Sequence, residues 1–147
     1  MVFKEQYHIE NNQLLRPPQR EGWQSIRDHY RGSKPERFSG VILPVGCGKS
    51  GLIAITPYAL SASRVLVITP GTRIRDQLGE DMKSSSPSKF YDKCNVLGTG
   101  SGHPETVVVA SGSVNHDDIA NADLVISNIQ QIAGEENRWL DEFGDDL

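Results

Sequence analysis

Cysteine is scarce in this chain, with only Cys47 and Cys94 among 147 residues. The two sit in unlike contexts and make no disulfide framework, so a reducing, cytoplasmic setting is expected. Long hydrophobic runs are lacking too. None approaches the roughly 18 residues needed to span a bilayer, so no membrane partner is expected. The opening "MVFKEQYHIENN" is polar and mixed in charge, unlike a secretory leader. Histidine is sparse: His8, His29, His103 and His116 are scattered without ligand spacing and read as surface or loop residues. There is no internal repeat. Nor is there a strong charge of either sign. The net charge is −4, and six acids against Arg138 put −5 on residues 135–147, leaving +1 on the remainder. A local basic face is therefore compatible with the composition.

What is present fits one globular domain, since 37% hydrophobic and 23% charged residues supply a sizeable core and rule out a disordered chain. Three β-branched runs read as strands buried on both faces: Phe38–Val45 ("FSGVILPV"), Arg64–Thr69 ("RVLVIT") and Ala122–Ser127 ("ADLVIS"). Thr106–Ala110 ("TVVVA") is a fourth. Helices are expected over Trp23–Arg31, Lys49–Leu60, Thr72–Met82 and Ile129–Phe143. Strands alternating with helices argue for an α/β fold with a mostly parallel sheet flanked by helices. Residues 83–105, rich in Ser, Gly and Pro, read as an exposed, flexible connection with room for one short element. "GTGSG" (Gly98–Gly102) lies within it, but no Lys-Ser/Thr pair follows, so it reads as a plain loop.

The stretch "LPVGCGKSG" (Leu43–Gly51) carries the chemistry. The general phosphate-loop pattern G-x-x-x-x-G-K-[ST] calls for glycine at position 43, where this chain has Leu. The context otherwise matches: an apolar run before, a helix after. Gly46 and Gly48 let the backbone curl so that successive N–H groups converge on phosphate oxygens. The N-terminus of the helix starting near Lys49 adds partial positive charge. Lys49 supplies a mobile charge for the β- and γ-phosphates, and the Ser50 hydroxyl is suited to ligate Mg²⁺. A plain strand-turn-helix junction leaves this order of glycine, lysine and hydroxyl unexplained. Cys47 lies inside the loop. A reactive thiol is one reading of it, although a small side chain that fits the loop is the plainer account.

"LPVGCGKS" resembles motif I of superfamily 2 helicases and translocases (DEAD/DEAH-like, type III restriction-enzyme-like), where the first glycine is not required. The resemblance covers about residues 14–132 and implies a RecA-like P-loop NTPase. Upstream, "LRPPQREGWQSI" (Leu14–Ile26) resembles the segment in which a glutamine reads adenine. Gln19 matches that position, with Arg16 as support and Gln24 as a lesser alternative. The family's aromatic is replaced by Pro18, and Tyr7 is the available substitute. The ATP contacts implied are thus Arg16, Gln19, Gly46, Cys47, Gly48, Lys49, Ser50 and Gly51, with Lys49 and Ser50 catalytic. Downstream, "RVLVITPGTRIRDQL" (Arg64–Leu78) resembles motif Ia, which implies nucleic-acid contacts at Pro70, Thr72 and Arg73. Thr72 is expected to cap the following helix. Gly71, between Pro70 and Thr72, departs from the family pattern. "ADLVISNIQQI" (Ala122–Ile132) resembles a further strand-contacting motif, with Ser127, Asn128 and Gln130 at the contact positions and Asn128 replacing the usual threonine.

Hydrolysis further requires carboxylates on the next strand. Asp141 and Glu142 in "RWLDEFGDDL" follow no apolar strand and read as a helix end stopped by Gly144. The expectation is therefore a partial motor domain. Residues 1–37 would form an adenine-recognition segment and residues 38–147 a partial RecA-like ATP-binding domain, which ends before the motif II strand. Its partners would be ATP, Mg²⁺, nucleic acid (DNA rather than RNA) and a second RecA-like domain in the full-length chain. The rival readings are another P-loop enzyme such as a small kinase, or a truncated non-catalytic nucleotide- or nucleic-acid-binding module.

Overall fold

Helix α1 runs from Pro17 to Arg31. It opens six residues before the expected Trp23, because proline at the first helical positions has no amide to waste and a φ already suited to the helix. Its buried residues, Gln19, Gly22, Trp23 and Ile26, recur at helical spacing and lie on one face. The computed structural model describes residues 2–33, 36–87, 89–110 and 115–133. These fall into two compact units.

The first unit comprises Phe3–Ala62 and Phe90–Gly102. Helix α1 packs here against α2 (Lys49–Leu60). Phe3, Tyr7, Trp23, Tyr58 and Tyr91 form a chain of edge-on aromatic pairs with centroid spacings of 5.2–6.2 Å. The run Phe38–Val45, expected as a buried strand, is not one. It joins no ladder among the described residues and ends in a turn at Val45, and Phe38, Ile42 and Val45 are 81%, 96% and 96% exposed. An apolar run states only that burial would be favourable. A strand also requires neighbouring strands to take up its amides and carbonyls.

The second unit comprises 63–89 and the described residues from His103 onward. Here β1 (Val65–Thr69), β2 (Thr106–Val108) and β3 (Leu124–Asn128) form a parallel sheet in the order β1-β3-β2. The register sets Thr69 opposite Asn128 and Thr106 opposite Leu124. Central β3 is buried throughout, whereas edge strand β1 leaves Ile68 half exposed. Helix α3 (Thr72–Met82) follows β1 and covers the sheet with Leu78 and Met82. Between β2 and β3 lies α5 (His116–Asn121), whose cap, Asn115, accepts the Asp117 amide at 3.2 Å. Ile119, Ala122, Val109 and Val125 form the core beneath. Arg64 fixes the C-terminal end of α5, donating to the Ile119 and Ala122 carbonyls at 2.7 and 3.1 Å. Of the helix expected over Ile129–Phe143, α6 (Ile129–Ile132) is seen, and the remainder lies outside the described residues apart from Ala133.

The stretch expected to be an exposed connection is anchored instead. It carries the short helix α4 (Phe90–Lys93), and both Tyr91 and Val96 are fully buried. Tyr91 donates its hydroxyl to the Ala54 carbonyl at 3.0 Å, and that burial raises its pKa well above the usual tyrosine value. Asn12, also buried, ties the N-terminal segment to the end of α4 by donating to the His8 and Cys94 carbonyls at 2.8 and 2.7 Å. Cys94 lies partly inside this region, and burial pushes its thiol pKa up. No helix among the described residues is long and apolar enough to cross a membrane.

Candidate nucleotide loop and sheet-edge surface

The loop between this apolar run and α2 turns through two glycines in the left-handed region, Gly46 at φ +83° and Gly48 at φ +81°. Side chains other than glycine rarely adopt that conformation. Gly48 is the N-cap of α2 and carries no side chain that would compete for the helix amides. The first backbone bond of this helix runs from the Leu52 amide to the Gly48 carbonyl at 3.2 Å. Lys49, Ser50 and Gly51 therefore lie in the first turn, where amides lack intrahelical acceptors and point toward an incoming anion.

Side chains hold the carbonyls of this loop. Arg16 Nη1 donates to the Gly46 carbonyl. Gln19 Nε2 donates to the Gly48 carbonyl at 2.9 Å, and Lys49 Nζ donates to the Pro44 carbonyl at 3.1 Å. Gln19 is fixed from its other side as well, its Oε1 accepting the Arg16 amide at 2.9 Å. Two of the residues singled out in "LRPPQ" thus meet the glycine loop, thirty residues away in sequence, through direct hydrogen bonds. The fit is close: a β-carbon on Gly48 would collide with the Gln19 amide, and one on Gly51 would collide with that amide and with the Phe90 ring.

Not every residue linked to the nucleotide takes the expected place. Gln24 is exposed on α1, away from the buried face that carries Gln19. Tyr7, the substitute for the missing aromatic, is engaged edge-on with Trp23 and Tyr58 at 5.8 and 5.3 Å. Cys47 is half-buried, and its amide donates to the Pro44 carbonyl at 3.4 Å. Lys49 is exposed and Ser50 half-buried.

In the second unit, the two downstream motifs come together at the carboxyl ends of β1 and β3. Gln130 Nε2 donates to the Pro70 carbonyl at 3.4 Å, and Asn128 Nδ2 donates to Gln130 Oε1 at 2.8 Å. Thr72 does not cap α3. Gly71 occupies the cap position, so Thr72 is the first helical residue and no side chain caps the helix. Pro70, Thr72, Arg73 and Gln130 are exposed, whereas Ser127 and Asn128 are 0% and 1% exposed. The Ser127 hydroxyl and Asn128 Oδ1 are buried with no partner among the described groups. Position along a strand end is legible in sequence; which side chains turn inward there is decided by packing.

Sequence reasoning passed over Arg75 and Phe90. Arg75 is 6% exposed, pairs with Asp76 at 2.7 Å and donates toward the carbonyls of Val109 and Ala110, fastening α3 to the end of β2. Its place in the buried 75/78/79/82 stripe of α3 was the available signal.

No curated protein and no solved structure matches this chain. The family described as type III restriction enzyme, res subunit, matches it over residues 12–147. With a glycine-rich loop opening a helix and a parallel sheet flanked by helices, the chain belongs to that family, whose members carry a superfamily 2 helicase-like, ATP-binding P-loop module of RecA-like fold.

Proposed function

We propose that this chain is the ATP-binding part of a nucleic-acid-dependent helicase or translocase, whose full-length form couples ATP hydrolysis to remodelling of DNA. The observation that carries the reading is the direct hydrogen bonding of Arg16 and Gln19 to the Gly46 and Gly48 carbonyls. With those carbonyls engaged, the amides of the first α2 turn remain to face a phosphate chain. Lys49 would exchange its Pro44 contact for the β- and γ-phosphates. Ser50 would ligate Mg²⁺ that arrives with the nucleotide, since Mg²⁺ is bound largely through substrate phosphates. In this reading residues 1–37 supply adenine recognition, residues 38–147 form part of a RecA-like domain, and a second such domain completes the motor.

Gln19 retains one N–H and one carbonyl lone pair beyond the bonds it makes in this structure, the pair needed to meet the adenine edge. Gln19→Ala is therefore expected to weaken ATP more than GTP or CTP when the three are titrated in parallel. Equal weakening of all three would make Gln19 a brace for the loop and not a reader of the base.

Nucleic acid is assigned to the exposed edge formed by Pro70, Thr72, Arg73 and Gln130, where the open first turn of α3 and the Arg73 charge suit a backbone phosphate. Arg73→Ala is expected to weaken single-stranded DNA without regard to sequence and to lower the salt-dependence slope by about one. Fluorescence anisotropy across a salt series measures both, and an unchanged slope would remove Arg73 from the interface.

A further inference from the structure

We propose that Phe90 is the base-stacking residue of the nucleotide site, the role that neither Pro18 nor Tyr7 fills. The inference rests on the ATP site proposed above. Three observations converge on it. Gly51 is small because two groups meet over it: a β-carbon there would collide with Gln19 Nε2 and lie 2.6 and 2.8 Å from Phe90 Cε2 and Cζ. The outer edge of the Phe90 ring therefore sits beside the very amide assigned to the adenine edge.

The ring is also held in place. Its neighbour Tyr91 is fully buried and bonded to the Ala54 carbonyl of α2 at 3.0 Å, and the Val96 amide donates to the Tyr91 carbonyl at 2.9 Å. An aromatic group so anchored loses little further freedom when a base settles on it. Finally, Phe90 is only half-buried, unlike Trp23, Tyr58 and Tyr91, which lie inside the core. Among the described residues its one ring contact is an edge-on approach to Tyr91 at 6.3 Å. Gln19 itself is 4% exposed, so a base that meets its amide has to come in against this ring.

Stacking is blind to base identity because every base presents a π-face. Phe90 and Gln19 consequently divide the work, Phe90 adding affinity for any nucleotide and Gln19 selecting adenine. Neither group is needed by a ligand that has no base, and that separates the two halves of the site.

The test is calorimetric titration of the whole chain with Mg·ATP, Mg·GTP and inorganic tripolyphosphate, using Phe90→Leu and Phe90→Trp. Leucine keeps an apolar group over Gly51 but cannot stack. It is expected to weaken ATP and GTP alike by about tenfold and to leave tripolyphosphate unchanged. Tryptophan is expected to retain ATP affinity, and the added fluorescence should be quenched by ATP but not by tripolyphosphate. Unchanged ATP affinity in Phe90→Leu, or a parallel loss of ATP and tripolyphosphate, overturns the proposal and reduces Phe90 to packing against Gly51. If the unaltered chain binds neither ATP nor tripolyphosphate, or Lys49→Ala binds both as tightly, the phosphate loop assignment itself falls and the role of Phe90 falls with it.

Discussion

Lys49→Ala is expected to lose ATP by about 100-fold or more, the largest effect of any single change in the loop. Each charge-assisted hydrogen bond to a phosphate oxygen contributes on the order of 1.5–3 kcal/mol. A lysine placed between the β- and γ-phosphates makes two such contacts. Arg16 is not free to substitute for it, because its guanidinium already donates to the Gly46 carbonyl. The loss should be confined to binding. Lys49 is exposed, and among the described residues its side chain makes one hydrogen bond, a 3.1 Å contact with the Pro44 carbonyl, so the thermal midpoint should move little. Isothermal titration with Mg·ATP and a melting curve on the same sample check both halves. Unchanged ATP affinity would sink the assignment of residues 46–50 to phosphate.

The turn of the loop was legible because two glycines just before a lysine and a hydroxyl call for a left-handed backbone opening a helix, and Gly46 and Gly48 take that conformation ahead of α2. The nearness of Gln19 to the loop was legible as well, and its amide donates to the Gly48 carbonyl. The short strands Val65–Thr69 and Leu124–Asn128 also followed from their apolar runs to within two residues. Phe38–Val45 did not, because hydrophobicity reports a tendency to be buried and carries no information about which strand will lie alongside. Phe90 and Tyr91 were invisible for another reason. They stand in a Ser-, Gly- and Pro-rich stretch with no periodicity, and their importance arises from contacts with Gly51 and Ala54, some forty residues earlier. Ser127 fails in the opposite sense. Its sequence position suggests a surface hydroxyl, but central β3 turns it fully inward.

The largest expected effect on stability is at Trp23. This side chain is 1% exposed, with the Tyr7 ring 5.8 Å away edge-on and the Arg27 guanidinium 5.0 Å over its face. Trp23→Ala removes the bulk on which α1 rests and the ring that holds Arg27, at a cost of about 3–5 kcal/mol for an aromatic-to-alanine change in a packed core. Trp23→Phe should be far milder. The indole N–H is buried without a partner among the described groups, so phenylalanine removes an unsatisfied donor whose burial itself costs about 1–3 kcal/mol, offsetting part of the lost contact. Urea unfolding of both variants separates the contributions, and a Phe variant as unstable as the Ala variant would show that the indole edge is satisfied in solution. The consequence reaches the nucleotide. Arg16 and Gln19 keep their grip on the loop only while α1 is seated, and Gln19 lies one helical turn from Trp23 on the same buried face. Trp23→Ala should therefore weaken ATP as well as the fold, whereas Lys49→Ala should weaken ATP alone; that contrast separates the residue proposed to touch phosphate from the one that holds the loop in shape.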